Sequence, residues 1–182
     1  MRELKYHEKK LLKKVDFLNW KKERNFQETR VMRKYHIQSR EDYARYNKIA
    51  GMVTKLVAKL KSLKPSDVFR VKRSQQLLKK LHDLGLIAQG QALNECDRLS
   101  TSEFCKRRLP VVLMRLKFAE TMREAVTFVE HGHIRVGVDT VTDPAFHVSR
   151  AAEDYIDWVR TSSVRRSVLR HNDKLDDYEL MD

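Results

Sequence analysis

The stretch TMREAVTFVEHGHIRVG, Thr121 to Gly137, decides the fold. It opens as a helix. Thr121 with Glu124 three residues later is a capping-box pattern, in which each side chain satisfies the other residue's backbone N–H. Ala125, Val126, Phe128 and Val129 then fall on one face. Gly132 stops the helix, because glycine adopts the left-handed conformation of a helix end at little steric cost. Beyond it the period changes from helical to alternating. Ile134, Val136 and Val141 read as strand, with Val138-Asp139-Thr140 as the tip of a tight hairpin. Asp143-Pro144 makes a turn, and AFHVS (145–149) and DYIDWV (154–159) read as further short strands.

Working outward, Ser100 with Glu103 repeats the capping-box pattern and opens a short helix through Phe104 and Cys105. Pro110 suits the first turn of the next helix, VVLMRLKFA (111–119), whose Val112, Leu113 and Leu116 face inward. Residues 100–160 thus form a small unit of two or three helices on a short antiparallel sheet. Before it, IAQGQALNECDRL (87–99) has weak periodicity and reads as a linker. A helix capped by Ser39 carries Tyr43, Tyr46, Ala50, Val53, Val57 and Leu60 at spacings of three and four. Ile49, Leu56 and Leu63 widen that stripe to core-facing width. Lys64-Pro65 ends it. A second helix, Asp67 to Leu84, closes on Gly85 and completes an antiparallel hairpin.

The reading is a mainly helical α+β protein in four parts. Residues 1–38 are a basic segment, 39–99 the hairpin and linker, 100–160 the mixed unit, and 161–182 an extension with an acidic tail. In the first part Leu4, Leu11, Val15 and Leu18 lie near one helical face, while Phe17, Trp20 and Phe26 are too large for a short helix to bury alone. Such a segment orders on a partner.

Charge names the kind of partner. The 182 residues hold 38 Lys and Arg against 25 Asp and Glu, a net charge of +13, and a polyanion is its natural counterpart. Residues 1–40 alone carry thirteen Lys and Arg against five acids, whereas residues 173–182 carry five acids and one lysine. Nucleic acid comes first and an anionic membrane surface second. Apolar runs approaching the length of a membrane span are missing, and two cysteines make no disulfide framework, so the chain reads as intracellular.

Candidate contacts follow from residue type and place. Lys106, Arg107 and Arg108 begin one helix and Arg123 the next, where free N–H groups already favour phosphate and guanidinium adds paired hydrogen bonds. Arg115 and Lys117 lie further along the first of these helices. His131, His133 and Arg135 sit where helix passes into strand, and Lys9, Lys10, Lys13 and Lys14 extend the basic surface. The histidines admit several readings: a metal pair, a catalytic pair, a helix cap, or contacts to phosphate or ribose. Zinc needs further ligands at tetrahedral geometry, and catalysis needs a nucleophile and an orienting carboxylate. Neither accompanies the pair, which favours surface contact, with His133 the more RNA-facing. A Gly-rich phosphate loop is also missing. The expectation is no metal, no cofactor, no membrane and no small-molecule substrate.

Arg107-Arg108-Leu109, the helix after it, and Gly132, Ile134, Val136 and Gly137 resemble the RNA-binding domain named after ribosomal protein S-four. LKYHEKKLLKKVDFLNW (4–20), YHIQSREDYARYN (35–47), FCKRRLPVVLMRLKFAE (104–120) and VTDPAFHVSRAAEDYIDWV (141–159) extend the likeness. They are similar to the Imp-type subunits of the U-three small nucleolar ribonucleoprotein. Val138 departs from an expected proline, and Ala151-Ala152 from a polar-Met pair. The resemblance implies a non-enzymatic nucleolar part of the small-subunit processome. Such a protein binds the small nucleolar RNA, helps it pair with pre-rRNA for the early cleavages, and associates with M-phase phosphoprotein ten and other processome proteins. A structural small-subunit ribosomal protein and an RNA-modifying enzyme with an S-four-like module are the alternatives. The second would need a separate catalytic domain, and residues 1–99 are short, helical and lysine-rich.

Overall fold

A computed structural model describes residues 2–14, 22–90 and 92–174. Val15, Phe17, Leu18, Trp20 and most of the acidic tail lie outside the described residues. Within them the protein is α+β and mainly helical, with ten helices and one three-stranded antiparallel sheet.

Helices α1 (Tyr6–Lys14) and α2 (Lys22–Lys34) form the basic segment. Tyr6, Leu11 and Leu12 of α1 are exposed. The turn after α2 is anchored: Tyr35 and Ile37 are buried with Cys105, against Val31, Met32 and Val111.

Helix α3 (Arg40–Ser62) begins as expected, with Ser39 Oγ accepting from the Glu41 amide at 3.2 Å. It buries Ala50, Val57 and Leu60. Ile49 and Leu56, expected in the core, are exposed. The reason is one-sided packing: α4 (Val68–Asp83), residues 86–99 and Phe104 gather on Ala50 and Val57, so a narrow stripe suffices. Helix α4 starts on Asp67, whose carboxylate accepts from the Phe69 amide at 2.9 Å. It closes in a Schellman motif on Gly85 (φ +74°), where Gly85 donates to His82 and Leu86 to Leu81.

The segment 87–99 is no free linker. Ile87, Cys96 and Leu99 are buried in the first core, and α5 (Leu93–Cys96) is a single turn between two bends. One turn is too short to print a period on the sequence.

Helix α6 (Thr101–Lys106) forms, but its capping box does not: Ser100 makes no side-chain cap bond. The Glu103 amide bonds the Ser100 carbonyl instead, and the Glu103 carboxylate is taken by Lys106 at 2.8 Å. Helix α7 (Leu109–Arg115) has Pro110 in its first turn and packs on α8 (Met122–Glu130), whose Thr121–Glu124 box is complete. His133 N donates to Phe128 and Gly132 N to Val129, so α8 ends in a second Schellman motif.

The sheet runs β2-β1-β3, from β1 (Ile134–Val136), β2 (Asp139–Thr140) and β3 (Ile156–Trp158). Ile134 faces Trp158, and Val136 pairs with Asp139 on one side and Ile156 on the other. The hairpin tip is Gly137-Val138, one step earlier than expected, because Gly137 (φ +67°) supplies the turn. AFHVS contributes only an isolated bridge, His147 to Arg108, since its backbone is drawn to the α6–α7 turn. Two further helices stand where the sequence reading places none: α9 (Arg150–Glu153), capped by Ser149, and α10 (Ser163–His171), capped by Ser162. Leu109, Val112, Leu113, Ala125, Val129, Ile134, Val148 and Ile156 make the second core.

Candidate nucleic-acid interface

Arg107 and Arg108, expected on the RNA-facing surface, are buried, with 5% and 2% of their surface exposed. They occupy the α6–α7 turn and join the two cores. Arg108 Nη1 donates to Asp42 Oδ2 (3.2 Å) and to the Tyr46 hydroxyl (3.3 Å) on α3. Its guanidinium stands 6.0 Å from the Tyr46 ring centre. Arg107 Nε donates to the Val148 carbonyl (3.0 Å) and Nη1 to Glu153 Oε2 (2.9 Å). His147 Nε2 lies 3.1 Å from the Leu84 carbonyl, and Arg150 donates to that of Ile87 at 2.8 Å. Burial pushes the Tyr46 hydroxyl up against the pull of Arg108, and pushes the Cys105 thiol up to about 11. Arg107 and Arg108 are charges held inside protein, where a buried cation needs its partner.

The remaining candidates fall into separate sets. Lys106 is exposed and paired with Glu103, and Arg115 is exposed and paired with Glu153. Lys117, in the left-handed region at φ 62°, and Arg123 are exposed; neither makes an ion pair with the described residues. Lys9, Lys10 and Lys13 are exposed on α1, and Lys14 is its last residue.

His131, His133 and Arg135 form the other set. His131 is exposed and ends α8, its ring 6.0 Å from that of His133. His133 is half-buried: Nδ1 lies 3.0 Å from the Ser162 hydroxyl, and its ring meets Phe128 edge-on. Of the two, His131 is the more open to solvent. Arg135 donates to Asp157 Oδ2 (2.7 Å) and to the Trp158 carbonyl (3.2 Å). Burial alone would raise the Asp157 carboxyl. The bonds from Arg135 and the Trp158 amide, with the charges of Arg135 and Arg165, outweigh that and hold it below its ordinary value. Arg165 brings α10 into this set. The signal for it was present, since Ser162 followed by SVRRSVLRH is a capped basic helix.

Residues 3–106 match the ribosomal protein S4/S9 N-terminal domain and residues 107–154 the S4 domain. The architecture is therefore that of an S4-domain protein of the ribosomal S4 type. More specifically, the chain belongs to the family of the U3 small nucleolar ribonucleoprotein protein IMP3. It is 50% identical to the Homo sapiens protein of that name over 99% of this chain and 98% of the human one. To the Saccharomyces cerevisiae protein it is 47% identical over 98% of each. The small ribosomal subunit protein uS4 of Picrophilus torridus is 30% identical over 79% of each chain.

Proposed function

We propose that this protein is an RNA-binding subunit of the U3 small nucleolar ribonucleoprotein within the small-subunit processome of the nucleolus. In this reading it binds the small nucleolar RNA and pre-rRNA together and promotes their pairing for the early cleavages. It acts by binding, not by catalysis, and M-phase phosphoprotein ten is among its partners. The observation that carries the reading is the span of the likeness. The IMP3 proteins align over nearly all of this chain, whereas uS4, the ribosomal alternative, aligns over 79% at lower identity.

The mechanism is electrostatic. Lys117 and Arg123, with Lys9, Lys10 and Lys13 of α1, are exposed cations, and His131 is exposed beside α8. Neutralising phosphates of two strands at once lowers their mutual repulsion. Residues 1–38 act as an arm that docks on RNA or protein, and 100–160 as the RNA-facing unit. Annealing of labelled snoRNA and pre-rRNA oligonucleotides, followed by stopped-flow fluorescence at low salt, tests this. The protein is expected to accelerate pairing, deletion of residues 1–25 to reduce the gain, and Arg123→Ala or His131→Ala to slow it modestly. No acceleration at low salt would sink the proposal.

A further inference from the structure

An open cleft of about 450 Å³ lies where the two cores meet, walled by residues 85–88 and by side chains of α6, α7 and α9. Arg98, Lys106, Arg107, Arg115 and Arg150 line it, and the acids in the lining are Glu95 and Glu103. Three of these cations are committed within the protein. Lys106 pairs with Glu103, and Arg107 and Arg115 share Glu153. The other two keep their charge available. Arg150 donates to the neutral Ile87 carbonyl, and Arg98 is exposed and makes no ion pair with the described residues.

Arg107 adds a second observation. Its Nη2 is buried without an acceptor. An N–H left so is destabilising, and more so on a charged group. The chain nevertheless holds it in place: a Cβ on Gly85 would come within 2.6 Å of Arg107 Nε, so the turn is built around the guanidinium. The cleft therefore carries both surplus charge and an unused donor in its wall.

We infer that this cleft holds a backbone phosphodiester of the bound RNA, with Arg98 and Arg150 as its ligands. The inference rests on the proposed RNA-binding function. A polymer with one charge per unit suits the surroundings better than a lone phosphorylated side chain, because the exposed Lys117, which makes no ion pair with the described residues, follows the lining residue Arg115 by two positions. The apolar wall of Leu86, Ile87 and Ala88 offers a surface for the ribose beside the phosphate.

The test is fluorescence-anisotropy titration of the full chain with a labelled RNA stem–loop across a potassium chloride series. The proteins compared are wild type, Arg98→Ala, Arg98→Lys, Arg150→Ala, the double alanine variant and Arg123→Ala. Each phosphate that a variant no longer neutralises lowers the slope of log K against log salt by roughly 0.7–0.9. The double variant is expected to show one to two such steps, with Arg98→Lys keeping most of the slope. Arg150 also bonds Ile87, so Arg98→Ala carries the decision, with circular dichroism melts confirming its fold. An unchanged slope for folded Arg98→Ala, while Arg123→Ala weakens binding, overturns the cleft and leaves RNA binding standing. A wild type with no RNA affinity at low salt overturns both. Weakened binding of a phosphoserine peptide by Arg98→Ala, with its RNA slope intact, gives the cleft to a protein partner and also overturns the inference.

Discussion

At the scale of single residues, Gly85 and Arg107 depend on each other. The glycine sits at φ +74° and leaves no room for a side chain, since the missing Cβ would also stand 2.7 Å from Arg107 Cζ. Gly85→Ala should therefore lower stability by about 1–3 kcal/mol, through backbone strain and displacement of the guanidinium. Urea denaturation followed by circular dichroism measures it, and a variant as stable as wild type would contradict this packing. The glycine was legible in the sequence as a helix stop, because that signal is local. The burial of Arg107 and Arg108 was not. Arg108's carboxylate partner, Asp42, lies 66 residues earlier, and adjacent arginines before a helix look the same whether they face water or protein.

Among elements, α8 and α6 carry the same signal with different outcomes. Thr121 accepts from the Glu124 amide at 3.2 Å, and Glu124 accepts from the Thr121 amide at 3.3 Å. Ser100 has the same spacing and no such bond. Thr121→Ala is expected to cost about 1 kcal/mol, and Ser100→Ala less than about 0.5 kcal/mol, in the same denaturation assay. Equal losses would show that the Ser100 pattern works after all. Helix α8 could be read residue by residue because cap, stripe and stop sit within seventeen residues. Residues 87–99 could not. Their apolar groups reach the core through bends, and bends leave no periodic trace.

Among the described residues the two larger cores meet across a polar seam, and the seam should respond to acid. His147 lies against the Leu84 carbonyl, and burial pulls its pKa below 6.5, opposed by that hydrogen bond and assisted by the charge of Arg107. As pH falls, the unfolded chain takes up this proton before the folded one. Its contribution is therefore intact above the unfolded value and is lost as pH drops through it. Melting temperature should decline as pH falls below about 6.5, and less steeply for His147→Gln, whose amide can still donate to Leu84 without titrating. Parallel profiles for the two proteins would rule His147 out as the cause. Both cores were visible in advance as apolar blocks; the seam was not, because nothing in a histidine's neighbours announces a carbonyl 63 residues away.

The Arg107-Arg108 turn is also where the two matched family models meet, one ending at residue 106 and the other beginning at 107. A chain severed there would retain every strand of the later piece and every long helix of the earlier one. It would also take the buried Arg108 from Asp42 and Tyr46, leaving Asp42 the longer contact to Arg45, and empty the Gly85 turn of the guanidinium it is shaped around. The two matched domains are therefore tied by bonds across their boundary, and a cut there takes partners from both sides.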